Sequence, residues 1–256
     1  MNISGSTVLL TGASGGLGHA IARRLVREGA TLILTGRREA ELNQLADELD
    51  ASVVVADLTD PTSIATLIEA ASAADILIAN AGTGNDVGIR SETAENIDRV
   101  IDTNLRSPIH LSVEFAQRLI DEGRTGHIVF VGSLSGLAPT PNTRLYNSTK
   151  FGLRGFALAM RHDVAEHGIG VSIVEPSFIA TAGMFADNGV QLPRVVRMKS
   201  PDDVAAGVVR AIQRNTAESF VSPIELRAVA TLAVAAPNLS DRIQRLVDTK
   251  SFKPAD

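Results

Sequence analysis

The stretch that decides the fold is Thr7-Val8-Leu9-Leu10-Thr11-Gly12-Ala13-Ser14-Gly15-Gly16-Leu17-Gly18, in which a short apolar run leads into a glycine-rich turn. Apolar residues with helical spacing begin directly after it, near Leu17 and Ile21. A strand, a glycine turn and a helix in that order predict the first half of a βαβ unit. The turn would let the backbone approach a pyrophosphate at a helix N-terminus, although a glycine-rich turn can also be only a turn.

The same alternation of apolar runs and helical patterns continues along the chain. Strands are predicted at 7–10, 31–35, 52–55, 76–79, 127–131, 171–174 and 219–221. Helices are predicted at 16–28, 39–49, 61–71, 94–122, 145–167 and 201–215, the last capped by Ser200. This order predicts a single α/β domain over residues 1–256, a doubly wound (Rossmann-like) parallel sheet with helices on both faces. Ligands of such sheets bind beyond the carboxyl ends of the strands.

Composition narrows the class of protein. The 256 residues are 45% hydrophobic, which is enough for one large core. The net charge is -5 and no run of lysine or arginine occurs, so we expect no nucleic-acid partner. The chain has no cysteine and its five histidines lack ligand spacing, so we expect no metal site. We see no signal peptide and no membrane span, and we therefore expect a cytoplasmic protein.

A tyrosine and a lysine form the first candidate for chemistry. Tyr146 is the one tyrosine of the chain, four residues before Lys150 and thirteen after Ser133. If the segment is helical, this spacing places the phenol and the ammonium on one face. A positive charge roughly 5 Å away, at an effective dielectric of ~20, favours the phenolate by about 3 kcal/mol and so lowers the tyrosine pKa by roughly two units before desolvation is subtracted. The pair suits general acid–base chemistry, and the alternative is a core tyrosine beside a solvated lysine.

The glycine turn together with Ser133, Tyr146 and Lys150 resembles the short-chain dehydrogenase/reductase family, and the likeness runs from Thr7 to about Thr181. Three further segments match the family's order and spacing. They are Asn80-Ala81-Gly82 after the fourth strand, Asn104 in the fourth helix, and residues 176–181 after the sixth strand. One departure is Pro176-Ser177, where the family usually has proline followed by glycine.

The resemblance implies a dinucleotide site. The glycine turn would hold the phosphates, Asp57 would contact the adenine, Asn80 would support the central strand, and Ile179 with Thr181 would hold the nicotinamide carboxamide. The implied contacts are Gly12, Ser14, Gly15, Gly16, Leu17, Gly18, Arg37, Arg38, Asp57, Leu58, Asn80, Ala81, Gly82, Tyr146, Lys150, Pro176, Ile179 and Thr181.

Cofactor choice depends on the end of the second strand, which reads Leu34-Thr35-Gly36-Arg37-Arg38-Glu39. Members of the family that prefer NAD place an acidic residue there, which binds the adenosine ribose and would repel a 2′-phosphate. Here the position is basic, and the planar fork of Arg37 suits a phosphate. We therefore expect NADP(H), with Arg38 the more plausible bystander. The alternative is that both arginines are a solvated helix start.

The resemblance also implies a mechanism. Tyr146 would donate a proton to the oxygen of a carbonyl substrate, Ser133 would hold the same oxygen, and Lys150 would lower the tyrosine pKa and bind the nicotinamide ribose. Asn104 would position a water that connects the lysine to solvent. Each residue has an ordinary alternative: Ser133 or Ser135 can cap a turn, and Asn104 can be a polar residue that bends its helix. Spacing to Tyr146 favours Ser133.

The remaining segments carry weaker information. Residues 177–200 have no clear period and match the family's substrate lid, and their apolar side chains indicate a moderately hydrophobic carbonyl or alcohol as the small-molecule substrate. The tail at 224–256 has no chemical motif, and its alanine-rich part at 228–239 is predicted to be a buried or subunit-facing helix. The helices that begin near Ala94 and Leu145 match the pair through which family members form dimers, so a homodimer or homotetramer is expected.

Three functions are compatible with the sequence. The first is an NADP(H)-dependent oxidoreductase, the second an NAD-dependent alcohol dehydrogenase of the same fold, and the third a dinucleotide-binding regulator without catalysis. The third is disfavoured because Ser133, Tyr146, Lys150 and Asn104 are all present.

Overall fold

The computed structural model describes residues 1–84, 87–139, 143–180, 198–239 and 242. Within these ranges seven parallel strands form one sheet. The strands are β1 (Thr7–Thr11), β2 (Thr31–Gly36), β3 (Ser52–Val55), β4 (Ile76–Ala79), β5 (Gly126–Val131), β6 (Ile169–Pro176) and β7 (Glu218–Val221). Their order across the sheet is β3-β2-β1-β4-β5-β6-β7. Every residue of β4, β5 and β6 is buried, as expected for strands covered on both faces.

Helices connect the strands and cover both faces of the sheet. They are α1 (Gly16–Arg27), α2 (Glu39–Leu49), α3 (Pro61–Ala70), α4 (Ala94–Ile101), α5 (Ser107–Asp121), α6 (Arg144–Asp163), α7 (Pro201–Arg214) and α8 (Ile224–Ala235). One core packs α1, α2 and α7 against the sheet, and the other packs α3, α5 and α6 against the opposite face. The predicted doubly wound α/β fold is confirmed.

The direction of strand order reverses between β1 and β4, and this reversal determines where the ligand-binding crevice of the sheet lies. The chain runs outward from β1 through β2 to β3, then returns to pair β4 with the other side of β1. The turns that follow β1 and β4 diverge to opposite faces of the sheet, and a crevice opens between them. The predicted motifs therefore meet at one edge of the sheet.

Three predicted elements differ from the structure. The prediction of one helix over 94–122 is wrong, because a π-helical turn at Asp102–Arg106 separates α4 from α5. The helix predicted to reach residue 167 ends at Asp163 and is followed by a 3₁₀ turn, Ala165–His167, and Gly168 in the left-handed region. β6 is longer than 171–174 because it continues through Glu175 to Pro176. The cap at Ser200 is confirmed, as part of a capping box with Asp203.

Some predicted features fall outside the described ranges. Thr181 and most of the predicted lid, 181–197, lie there, as do residues 243–256 of the tail. Among the described helices, none has both the length and the apolar character that a membrane crossing requires. The described side chains of His, Cys, Asp and Glu do not gather in any group of three that could hold a metal ion.

Candidate active site

The glycine turn between β1 and α1 has two kinds of glycine. Gly12 has φ +64°, and a Cβ there would lie 2.8 Å from the Cα of Ala81, so a side chain is excluded by both conformation and space. A Cβ on Gly18 would collide with the carbonyl oxygen of Gly12. Gly15 is different: it has φ −83°, and an added Cβ would meet nothing closer than the Gly12 oxygen at 3.6 Å. A side chain at Gly15 is therefore compatible with the fold of the protein itself.

The turn after β4 is tied to this glycine turn. The hydroxyl of Thr11 accepts hydrogen bonds from the backbone N–H groups of Asn80 and Ala81, each at 3.0 Å. The side-chain amide of Asn80 donates to the carbonyl oxygens of Thr11 at 3.0 Å and Gly12 at 3.2 Å. These bonds fix the two walls of the crevice relative to each other.

A cavity of about 520 Å³ occupies the crevice. It brings together almost every residue that the sequence indicated. The predicted residues that line it are Gly12, Ser14, Gly15, Gly16, Leu17, Gly18, Arg37, Arg38, Asp57, Leu58, Asn80, Ala81, Gly82, Ser133, Tyr146, Lys150, Pro176 and Ile179. The cavity begins at the N-terminus of α1, where Gly15 provides no side-chain cap and the first N–H groups of the helix face outward. Such an arrangement suits a phosphate.

Sequence reasoning missed several lining residues. They are Gly36, Ala56, Thr59, Thr83, Gly84, Thr103, Val131, Gly132 and Ser177. Most are immediate neighbours of predicted residues along the chain, so proximity to a motif at a strand end was the signal that could have found them. Ser177, which replaces the family's usual glycine, lines the cavity. Its backbone N–H donates a hydrogen bond to the Val221 carbonyl oxygen.

Asn104 is not among the residues that line the cavity. It lies in the π-helical turn, 1% exposed, and its side chain binds the backbone of Thr83 in both directions. Its Oδ1 accepts from the Thr83 N–H at 2.7 Å, and its Nδ2 donates to the Thr83 carbonyl at 2.7 Å. The structure therefore places Asn104 behind Thr83, which does line the cavity.

Ser133, Tyr146 and Lys150 converge at the other end of the cavity. Ser133 follows β5, and its hydroxyl accepts from the Ser135 N–H at 3.1 Å and bonds to the Tyr146 side chain. Ser135 does not line the cavity, so the choice of Ser133 over Ser135 agrees with the geometry. Lys150 Nζ lies 5.6 Å from the centroid of the Tyr146 ring and donates to the Val131 carbonyl at 2.9 Å. The four-residue spacing on α6 thus brings phenol and ammonium to one wall.

The electrostatic balance at Tyr146 differs from the sequence-based expectation. Burial raises the pKa of Tyr146 to about 12, and the negative charge of Glu175 acts in the same direction, while the hydrogen bond from Ser133 opposes them. Burial also lowers the pKa of Lys150. The expected lowering of the tyrosine pKa by Lys150 is therefore wrong for the protein alone. Desolvation of the phenolate outweighs the effect of a lysine whose own charged form is disfavoured.

The two arginines after β2 have different surroundings. Arg38 donates to the carbonyl oxygen of Ser14 at 2.6 Å and lies 3.5 Å from a Glu41 oxygen, so its guanidinium braces the glycine turn. Arg37 is exposed, lines the cavity, and makes no hydrogen bond or ion pair with the described part of the chain. Arg37 is therefore the arginine whose fork is free to bind an anion.

Comparison with known proteins identifies the family. A family model described as short chain dehydrogenase matches residues 6–189. The chain belongs to the short-chain dehydrogenase family. Two curated members are a ketoacyl reductase, HetN, from Nostoc sp., 31% identical over 98% of this chain and 92% of its own length, and a 3-oxoacyl-[acyl-carrier-protein] reductase, FabG, from Rickettsia conorii, 35% identical over 81% and 89%. This short-chain dehydrogenase is thus a member of an oxidoreductase family.

Solved structures show the same fold with a dinucleotide bound. A 3-ketoacyl-(acyl-carrier-protein) reductase from Brucella melitensis, complexed with NADH, is 25% identical, with TM-score 0.76 over 86% of this chain and 97% of that one. A chain from Beutenbergia cavernae, described as an NAD(P) dependent gluconate 5-dehydrogenase with NADP bound at low occupancy, is also 25% identical, with TM-score 0.77 over 87% and 98%. The short-chain dehydrogenase fold therefore accommodates either nicotinamide dinucleotide.

Proposed function

We propose that the protein is an NADP(H)-dependent oxidoreductase that interconverts a moderately hydrophobic carbonyl compound and its alcohol. The observation that carries the proposal is the convergence of Ser133, Tyr146 and Lys150 on the cavity that also contains the glycine turn. A dinucleotide site without chemistry has no need of a serine–tyrosine pair at the far end of the cavity.

The cavity fits a nicotinamide dinucleotide. Its phosphates would lie at the uncapped N-terminus of α1, where Gly15 leaves room for them. Asp57 would contact the adenine, and Pro176 and Ile179 line the same cavity as Tyr146. When bound, this group supplies or accepts a hydride. The remaining chemistry, which is the transfer of a proton and the stabilisation of charge on oxygen, belongs to the side chains.

Tyr146 is the proposed general acid for carbonyl reduction. Its pKa, about 12 in the protein alone, keeps the phenol protonated at neutral pH and able to donate to an oxygen that becomes negative. The Ser133 hydroxyl, already bonded to Tyr146, would hold the same oxygen. For alcohol oxidation the roles reverse, and the tyrosinate accepts the proton.

Lys150 and Asn104 support this step from behind the tyrosine. The lowered pKa of Lys150 means that its ammonium gives up a proton more readily than an exposed lysine, which suits a relay toward Tyr146. Asn104 holds the Thr83 backbone and so shapes the wall next to Lys150, whose Nζ would lie 4.0 Å from a Cβ placed on Gly82. We assign Asn104 a positioning role.

The preference for NADP(H) is proposed on the basis of Arg37. Its guanidinium is exposed at the cavity and has no partner among the described residues, whereas Arg38 is engaged with Ser14. We expect Arg37→Ala to reduce the ratio of kcat/KM for NADPH to that for NADH by roughly 10- to 100-fold, because a charge-assisted pair with the 2′-phosphate is lost.

Arg38→Ala is the matched control for this cofactor test. It loosens the glycine turn that both cofactors share, so both catalytic efficiencies should fall by a similar factor. A wild-type preference for NADH would overturn the NADP(H) assignment and favour the NAD-dependent alcohol dehydrogenase.

The substrate class is proposed from the relatives. HetN and FabG are named as ketoacyl and 3-oxoacyl reductases and cover most of the chain, and a 3-oxoacyl group is a moderately hydrophobic carbonyl. We expect NADPH consumption with 3-oxoacyl thioesters to exceed that with simple ketones, aldehydes and quinones of similar size. Turnover of none of these by the wild-type protein would favour the dinucleotide-binding regulator instead.

A further inference from the structure

A buried carboxylate lies directly behind the Ser133 and Tyr146 pair. Glu175 is 0% exposed and is the one charged residue of β6, next to the cavity-lining Pro176. Its Oε2 accepts a hydrogen bond from the backbone N–H of Ser133. Its Oε1 has no hydrogen-bond partner in the described part of the protein. A buried carboxylate that is only half satisfied is costly for a fold, and none of the roles described so far uses it.

Neighbouring residues make room for this carboxylate. Val131 pairs with Val174 in the register of β5 and β6, so Glu175 lies beside Gly132. A Cβ on Gly132 would lie 2.7 Å from the carboxyl carbon of Glu175, which means that any larger residue would displace the acid. Gly132 and Glu175 are therefore sterically matched.

Titratable groups face Glu175 from two elements, α6 and β7. The cations Lys150 and Arg154 on α6 and the carboxylate of Glu218 on β7 interact electrostatically with Glu175. The charge of Glu175 in turn acts on Tyr146, also on α6. Arg154 is held by Glu218 in an ion pair, so its charge is largely compensated. Lys150 has no ion pair within 4 Å among the described residues, which leaves Glu175 as the anion that acts on it.

We propose that Glu175 is a positioning residue of the active site, which holds the backbone of Ser133 and, once ionised, opposes the loss of the Tyr146 proton. The proposal rests on the proposed role of Tyr146 and deepens it. The pKa of Glu175 is raised by burial and then by Glu218, but it remains well below that of Tyr146. Glu175 is therefore ionised at the pH where the phenol loses its proton.

The composition of the chain allows a direct test. Tyr146 is the one tyrosine and the chain has no tryptophan, so the near-ultraviolet absorbance of tyrosinate reports Tyr146 alone. Absorbance is recorded within milliseconds of a jump to alkaline pH, and far-UV circular dichroism on the same time scale verifies that the protein is still folded. No substrate and no cofactor are present in this titration.

Glu175→Gln is the informative variant. The amide oxygen of glutamine can still accept from the Ser133 N–H, so only the charge is lost. We expect the tyrosinate midpoint to fall from about 12 in the wild type. The expected fall of roughly half a unit to one unit is a three- to tenfold change in the ionisation equilibrium. Glu69→Gln removes an equal charge from the exposed Glu69–Arg118 pair and should leave the midpoint unchanged.

The outcomes separate this proposal from the proposed function. A midpoint for E175Q equal to those of the wild type and E69Q would overturn the role of Glu175, even if the wild type reduces 3-oxoacyl thioesters. A lowered midpoint supports that role, even if no substrate is turned over. In a wild type that is active, E175Q should also move the alkaline limb of kcat/KM for reduction to lower pH by the same amount, a shift that a merely structural role would not produce.

Discussion

Gly12 and Gly15 both line the cavity, yet they differ in what a side chain would disturb. Gly12 is excluded from carrying one by its φ of +64° and by the Ala81 backbone at 2.8 Å. Gly15 has an ordinary extended conformation and space around it. The fold thus requires the first glycine but not the second, for which the proposed function supplies the reason: a phosphate that approaches the backbone.

A pair of alanine variants separates these requirements. We expect Gly12→Ala to destabilise the protein by roughly 2–4 kcal/mol, because the turn must change conformation and move away from β4. Gly15→Ala should change stability by less than about 0.5 kcal/mol but weaken NADPH binding at least about tenfold. Urea unfolding and fluorescence titration with NADPH measure the two quantities. A G15A protein that binds NADPH normally would contradict the placement of the phosphates.

His127 gives a prediction about stability and pH. It is 1% exposed in β5, and burial, then the N-terminal ammonium and Arg161, lowers its pKa from 6.5 to about 4. Below pH 6.5 this histidine is therefore mostly protonated in the unfolded chain, whereas in the folded chain it is not protonated until about pH 4. Stability should fall by up to about 3 kcal/mol as pH decreases through this window and should not change further on this account below it.

His127→Gln tests the sign of this effect. It removes the titrating group while retaining a side chain that can bond the Ser172 hydroxyl, the present partner of His127 Nε2 at 2.9 Å. We expect its unfolding free energy to vary less between pH 6.5 and 4 than that of the wild type, as measured by urea unfolding at each pH. His110→Gln, at an exposed position, should retain the wild-type slope.

Among the elements, the π-helical turn between α4 and α5 has the clearest consequence. It carries Asn104, whose side chain hydrogen-bonds to both the N–H and the carbonyl oxygen of Thr83 in the loop after β4. Asn104→Ala leaves these two groups unsatisfied, and we expect a loss of roughly 1–3 kcal/mol together with reduced turnover. Thermal unfolding measures the first effect. Asn43→Ala, on the exposed side of α2, is the control and should not lower Tm; an unchanged Tm for N104A would rule out the positioning role.

The strands and most helices could be predicted from the sequence because each strand of a covered parallel sheet is a short apolar run. The runs at β3 and β4 were predicted with their observed bounds. The end of β6 was not, because Glu175 is charged and reads as the end of a buried run. The π-helical turn was not predicted either, since the spacing of apolar residues on each side of one inserted residue is still that of an α-helix.

The sequence indicated the candidate site residues that belong to motifs. It did not indicate Glu175, whose position is known only from tertiary contacts. Gly12 and Asn80 directly follow a strand, and Ser133 lies just beyond β5. Tyr146 lies on α6 and was found through its spacing to Ser133 and Lys150. Glu175 has no motif, and the one available signal was a charged residue inside an apolar run. The pKa of Tyr146 was predicted in the wrong direction because spacing gives the distance to Lys150 but not the degree of burial.

At the scale of the whole molecule, large apolar side chains on α6 and α8 are exposed on the described chain. Phe151 on α6 is 41% exposed. Val229 and Leu232 on α8 are 60% and 42% exposed, so of the two predicted alternatives for this region, a buried or a subunit-facing helix, the exposure favours the second. We propose that the chain forms a homodimer or homotetramer in which α5 and α6 pair and α8 adds a contact.

Charge substitutions on these surfaces test the assembly. We expect the wild type to have the mass of a dimer or tetramer by light scattering, and Phe151→Glu to reduce that mass because a carboxylate would be buried at the pair of α6 helices. Val55→Glu changes an apolar residue of similar exposure, 48% against 41% for Phe151, on the edge strand β3 and should leave the mass unchanged. A monomeric wild type at micromolar concentration would contradict the proposal.

The central claim is that Tyr146 transfers the proton, and Tyr146→Phe tests it most directly. The measurement is single-turnover oxidation of NADPH with a 3-oxoacyl thioester, together with the Kd for NADPH. We expect the rate to fall by roughly 10²- to 10⁴-fold while the Kd changes less than about threefold, because only the hydroxyl is removed. A variant that reduces the thioester at the wild-type rate would contradict the account.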